Sequence, residues 1–198
     1  MLTIPLLKKT LLLSSLFMVF LLGITACGNR QVDSKEVAEE INKPKSDSTM
    51  ERDERFLVNT AEYNFREIML GKLAQQRSTS EDVKALAKLL EEAHRKSNSE
   101  LSALALSKSI AIPTAASKAV MDDYEKLNLR TEKEFDLEYC NMIIQNHKDL
   151  INHFENYTNG NCDQDIKIWV LGVISDIRIH QAKAAQLEME VKNSVSLN

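Results

Sequence analysis

Four residues could do chemistry together: Glu67, His94, His147 and His180. Each falls near the middle of a separate stretch of helical periodicity, on the apolar side of that stretch. Three imidazoles and a carboxylate suit a single first-row transition metal such as Fe, Zn or Cu. Tyr63, Tyr139 and Asp176 are placed to hydrogen-bond such ligands and fix their tautomers. A second reading is open at the same residues. They could form a hydrogen-bonded polar layer in which Glu67 accepts from the histidines, since a buried ionised carboxylate is costly unless paired. The fourth histidine, His153, falls with Asn146, Asp149 and Asn156 on the polar face of its helix.

No reaction follows from this pattern, and no catalytic residue stands out. There is no nucleophile elbow, phosphate-binding loop, dinucleotide fingerprint or His-Glu-x-x-His. Glu91 and His94 make one Glu-x-x-His, the spacing used in di-iron carboxylate bundles. A second copy is missing, because Asp176 stands four residues before His180 and Ile177 three before it.

Four long helices must position these residues. The first is expected over Asp53–Gln76, with an inner line of Phe56, Thr60, Tyr63, Glu67, Leu70 and Ala74. Ser80 followed by Glu81 and Asp82 is a cap with acids in the first turn, which starts a second helix over Glu81–Lys108. Pro113 closes that region. Thr114–Leu129 is a long connection with a short helix over Ser117–Leu127, either a crossover or a capping helix. Thr131 and Glu134 match a capping box for a third helix to Thr158, and Asn159-Gly160-Asn161 stops it. The fourth runs over Asp163–Lys192, with Ile166, Val170, Val173, Ile177, His180, Ala184 and Leu187 on its inner line. The fold class is therefore all-α: a four-helix bundle over residues 53–193.

Composition agrees. Five Gly and three Pro in 198 residues favour helix, and a net charge of −4 from 25 basic and 29 acidic residues argues against nucleic-acid binding. Of three cysteines, Cys140 and Cys162 lie about 30 Å apart along and just beyond one helix, out of disulfide reach. Cys140 reads as a core residue and Cys162 as a loop thiol.

The N-terminus reads as a targeting segment. Lys8 and Lys9 precede an apolar run from Leu11 to Leu22, shorter than the roughly 20 residues of a membrane span. The run ends in Ile24-Thr25-Ala26-Cys27, which resembles a bacterial lipobox, so residues 1–26 are expected to be a lipoprotein signal peptide and Cys27 the lipidated residue. An ordinary signal peptide or anchor with an incidental cysteine is the alternative. Gly28 and Asn29 follow, without the aspartate that marks inner-membrane retention, which favours an outer-membrane destination in a two-membrane envelope. Residues 27–52 are polar and read as a flexible tether; Val32–Ile41 could form a short helix, with nothing in the sequence to anchor it.

The run Tyr63-Asn64-Phe65-Arg66-Glu67-Ile68-Met69-Leu70-Gly71-Lys72-Leu73-Ala74 resembles the first helix of a bacterial domain of unknown function. Val83 to His94, Phe135-Asp136-x-x-Tyr139 through His147, and Ile174 to Leu187 resemble its other three. The family has an acid just before the second-helix histidine, where this chain has Ala93. The resemblance covers roughly Phe56 to Glu188. It implies an exported protein of the kind described as outer-membrane, on a ferritin-like helical bundle, with no established reaction. Two functions are expected from different classes. One is a lipid-anchored cell-envelope module that binds a partner or has a structural role, held to the membrane through Cys27. The other is a metal-binding or redox bundle using Glu67, His94, His147 and His180.

Overall fold

Helix boundaries fall where local capping chemistry puts them. The computed structural model describes residues 32–43 and 48–196, and these contain six helices and no strand. They are α1 (Ser34–Asn42), α2 (Ser48–Arg77), α3 (Glu81–Ser107), α4 (Lys118–Asn128), α5 (Glu132–Thr158) and α6 (Gln164–Ser196). Ser80 accepts from the Val83 N–H at 3.3 Å to start α3. Glu134 reaches back to accept from the Thr131 N–H (3.4 Å) and hydroxyl (2.9 Å) at the start of α5. The expected signal peptide over residues 1–26 and Cys27 lie outside the described residues. Among the described residues no helix is long and apolar enough to cross a membrane.

The four long helices form a ring in the order α2, α3, α6, α5, each packed on the next. Two apolar clusters fill it. One joins the C-terminal half of α2 (Leu70, Leu73), the N-terminal half of α3 (Val83, Leu90), the N-terminal half of α5 (Phe135, Ile143) and the C-terminal half of α6 (Ala184, Leu187). The other joins the opposite halves, through Phe56, Leu101, Phe154 and Val170. These halves fix the directions: α2 and α6 run one way, α3 and α5 the other. The chain must therefore travel the length of the bundle between α3 and α5. The connection holding α4 is a crossover, laid against α2 and α5. Arg66 of α2 holds it through Asp123 at 2.7 Å. The two hairpins pack tightly. A Cβ on Gly71 of α2 would stand 2.9 Å from the Ala87 carbonyl oxygen of α3, so only glycine permits that approach.

The segment before α2 differs from expectation. α1 is anchored rather than free, and α2 begins earlier than Asp53. Asn42 is 2% exposed; its amide donates to the Ala111 carbonyl and accepts from the Ala111 N–H, both at 2.9 Å. Ser34 Oγ accepts from the Thr114 N–H at 2.8 Å, and Asp33 from the Lys118 N–H at 2.7 Å. The reason is physical: α1 is held by polar side chains bonding distant backbone, with Ala38 its one buried apolar residue. Hydrophobic periodicity carries no trace of such bonds.

Asn42→Ala should leave both Ala111 backbone groups without their partner. A loss of about 1–3 kcal/mol is expected in urea unfolding. A change under about 0.5 kcal/mol, ordinary for a surface residue, would show that α1 is not docked.

Candidate metal centre

Between the two apolar clusters lies a polar layer, built one residue per long helix. His147 sits on α5 one turn after Ile143 and is fully buried. Its Nδ1 is 3.0 Å from the Ile143 carbonyl oxygen. A carbonyl only accepts, so Nδ1 carries the proton and Nε2 keeps its lone pair. His94 on α3 is held the same way: its Nδ1 lies 2.9 Å from Asn64 Oδ1, on α2. The two Nε2 atoms then face each other at 3.4 Å. In these tautomers no proton lies between them.

Charging a ring would place a proton there, and the surroundings oppose that. Burial, then the neighbouring His180, pushes His147 down to about 4. Burial, then His147 and His180, holds His94 well below the usual range. Both are neutral near pH 7. His180 on α6 completes the group, its ring centroid 6.0 Å from that of His94 and 5.6 Å from that of His147. Each ring offers a nitrogen within 4.8 Å of the other two. His180 Nδ1 is buried without a hydrogen-bond partner, and burial lowers its pKa against the pull of Asp176.

Three neutral imidazoles converging in this way could hold a metal ion. Two nitrogens bound at about 2.0–2.1 Å around a tetrahedral centre stand about 3.3–3.4 Å apart. The His94–His147 spacing already meets that, and His180 brings a third nitrogen within 4.8 Å of both. Each of the first two rings donates its other N–H to an oxygen, as metal-bound imidazoles do.

Glu67 is not part of the convergent face, which corrects the four-ligand expectation. It is 1% exposed, and its Oε2 lies 3.9 Å from His147 Nδ1, on the side of the ring away from His94. The cause is the helix order: α2 packs beside α3 and α5 and diagonally to α6. Nor do the two form an ion pair near neutrality, because burial raises Glu67 to about 8 while His147 is lowered. The Asn146 amide favours the ionised carboxylate, yet neither Glu67 oxygen nor Asn146 Nδ2 makes a well-aligned hydrogen bond. Tyr139 is fully buried beside Glu67, its hydroxyl also without a partner, and burial keeps its phenol protonated. It makes no hydrogen bond to the three rings, so the ring-orienting role expected of it is not seen.

Two further expectations shift. Tyr63 does not support the histidines: it lies at the rim of the α2–α5 contact, 5.7 Å from the His153 ring and beneath Arg66. Asn64, one residue on, takes that role, and the signal for it was Thr60, Asn64 and Glu67 recurring at helical spacing on one side of α2. His153 is half-buried rather than on an open polar face. It stacks on Phe56 at 4.7 Å and bonds Thr60 Oγ1 at 3.2 Å, away from the layer. Asp176 lies near His180, exposed at the mouth of a cleft that His94 and His180 also line, but among the described residues it makes no hydrogen bond to a ring, so it does not fix a tautomer as expected.

A di-iron carboxylate centre does not fit these residues. Glu91, the acid of the single Glu-x-x-His, is turned to Gln75 (2.6 Å) and Arg95 (2.9 Å). Glu67 is the one carboxylate buried in the layer.

The model of a domain of unknown function, DUF4142, matches residues 38–187, which takes in every residue of this layer. No curated protein and no solved structure matches the chain.

The buried Glu67 gives a pH signature. Its pKa is raised on folding from 4.5 to about 8, so the folded state holds a proton that the unfolded state loses, and stability falls as pH rises through that window. Glu67→Gln has no such loss. In metal-free protein its thermal stability should gain on the parent steadily from about pH 5 to pH 8, by a few kcal/mol in all. A difference that stays constant with pH would show Glu67 to be ionised throughout.

Proposed function

The chain belongs to the DUF4142 family, and from that premise we propose that it is a lipid-anchored cell-envelope bundle that binds one transition-metal ion through His94, His147 and His180. The observation that carries the metal reading is the pair of Nε2 atoms facing each other at 3.4 Å with both Nδ1 protons committed elsewhere. Neutral imidazole nitrogens of this kind suit Zn, Cu, Fe or Ni. When bound, the ion supplies Lewis acidity or, if redox-active, an electron. The chain's own part is to hold the rings. Ile143 and Asn64 fix two tautomers, and the two apolar clusters shield the layer from bulk water.

The ferritin-like reading of the fold is supported by the helix directions and the single long crossover, the arrangement such folds share. The envelope location and the anchor rest on the sequence: the apolar run, Ile24-Thr25-Ala26-Cys27, and the polar residues after it. A structural role for the same layer is the second reading. It is favoured by the hydrogen bonds His94 and His147 already make, but it leaves the apposed lone pairs unexplained.

Metal analysis of the mature chain, purified without a histidine tag, is expected to find about one ion per chain. His94→Ala and His147→Ala should each abolish binding while keeping a helical circular-dichroism spectrum. Asn64→Ala should weaken affinity about 10–100-fold through the freed His94 ring. A metal-free parent, or content unchanged in both histidine variants, contradicts the proposal.

A further inference from the structure

The three rings are not sealed on every side. His147 is fully buried between α2 and α5, and Glu67 backs it. His94 and His180, by contrast, line a cleft on the seam between α3 and α6, with a volume of about 80 Å³. Its walls are small or apolar: Ala93 and Ser97 on α3, Val173 and Ile177 on α6. That volume exceeds what one water-sized ligand needs. Two acids stand at the mouth. Glu100 is occupied, accepting from Trp169 Nε1 at 3.2 Å and pairing with Lys96 at 3.8 Å. Asp176 is exposed, one turn before His180, and among the described residues it holds no hydrogen bond or ion pair; its charge acts on His180.

The donor set has the complementary shape. Three imidazoles are neutral, so they leave both charges of a divalent ion uncompensated in a buried layer, which is costly. No carboxylate reaches the convergent face. A three-histidine site of this kind completes its shell with a ligand from outside, at the position its protein ligands leave open. Of the routes to that position, α2 and α5 are closed by Glu67, Asn64 and the body of His147.

On the metal reading above, we propose that the α3–α6 cleft is the doorway to the centre: Asp176 attracts the cation at its mouth, and the ion's fourth position opens into the cleft and takes a small exchangeable lone-pair donor, water or a small anion. The ligand class is set by the space. Ala93, Ser97, Val173 and Ile177 admit a few atoms, and an organic substrate of ordinary size does not fit.

Cobalt(II) and azide test this. The tag-free mature chain is loaded with Co(II) and titrated with azide, followed by visible absorption. The parent should show a saturable shift of its cobalt bands. Ser97→Leu, which fills the cleft, should bind the same amount of Co(II) with azide affinity weakened at least tenfold and with slower cobalt uptake. Ala93→Val narrows the same α3 wall one turn away and carries the same comparison if Ser97→Leu does not fold. Asp176→Asn should slow cobalt uptake severalfold and leave the azide shift in place. A parent spectrum that azide does not move, or filled-cleft variants that respond like the parent, overturns the doorway while leaving the metal site standing. Failure of the parent to bind Co(II) instead removes the metal reading on which it rests.

Discussion

Two imidazole nitrogens that face each other with no proton to share set the terms for this protein. His94 and His147 each spend their only ring proton on a fixed acceptor, Asn64 Oδ1 and the Ile143 carbonyl. Burial then prevents either ring from acquiring a second proton. Two lone pairs in such a contact repel each other, and on the metal-binding proposal a cation between the two nitrogens would turn it into the organising contact of the bundle. The same low-dielectric surroundings that keep the rings neutral leave their Nε2 lone pairs free of protons, the state in which imidazole binds a metal.

The rest of the fold follows from where that layer sits. It divides the core into two apolar clusters, so the four helices pack above and below it and cannot slide by a turn without misaligning it. Gly71 lets α2 approach α3 one turn from Glu67, which sets the depth of the carboxyl behind His147. The crossover and α4 then lie along α2 and α5, and α1 closes the far end against the Ala111 backbone. The crossover packs on α2 and α5 and α1 packs on α2, and the cleft opens at the α3–α6 seam.

Much of this was legible in the sequence, for reasons that can be named. Ser80, Ser117 and Thr131 cap helices through side-chain bonds within four residues, so local reading places those starts. His94, His147 and His180 fall on apolar lines that periodicity detects. Periodicity stops at direction: it shows Glu67 as buried but not that it meets the Nδ1 side of His147. It also cannot rank two adjacent residues near the edge of the inner face of α2, which is why Tyr63 was expected where Asn64 stands. The anchoring of α1 depends on Asn42 and Asp33 reaching backbone on a distant part of the chain, and the crossover depends on which halves of helices share a cluster. Neither leaves a local mark.

X-ray absorption at the zinc edge, on zinc-loaded mature chain without a tag, tests the central claim most directly. Three imidazole nitrogens near 2.0–2.1 Å, with the outer-ring scattering that identifies histidine, and one further light atom are expected. A sulfur shell near 2.3 Å, or a shell of oxygens without imidazole scattering, would place the metal elsewhere and contradict the account.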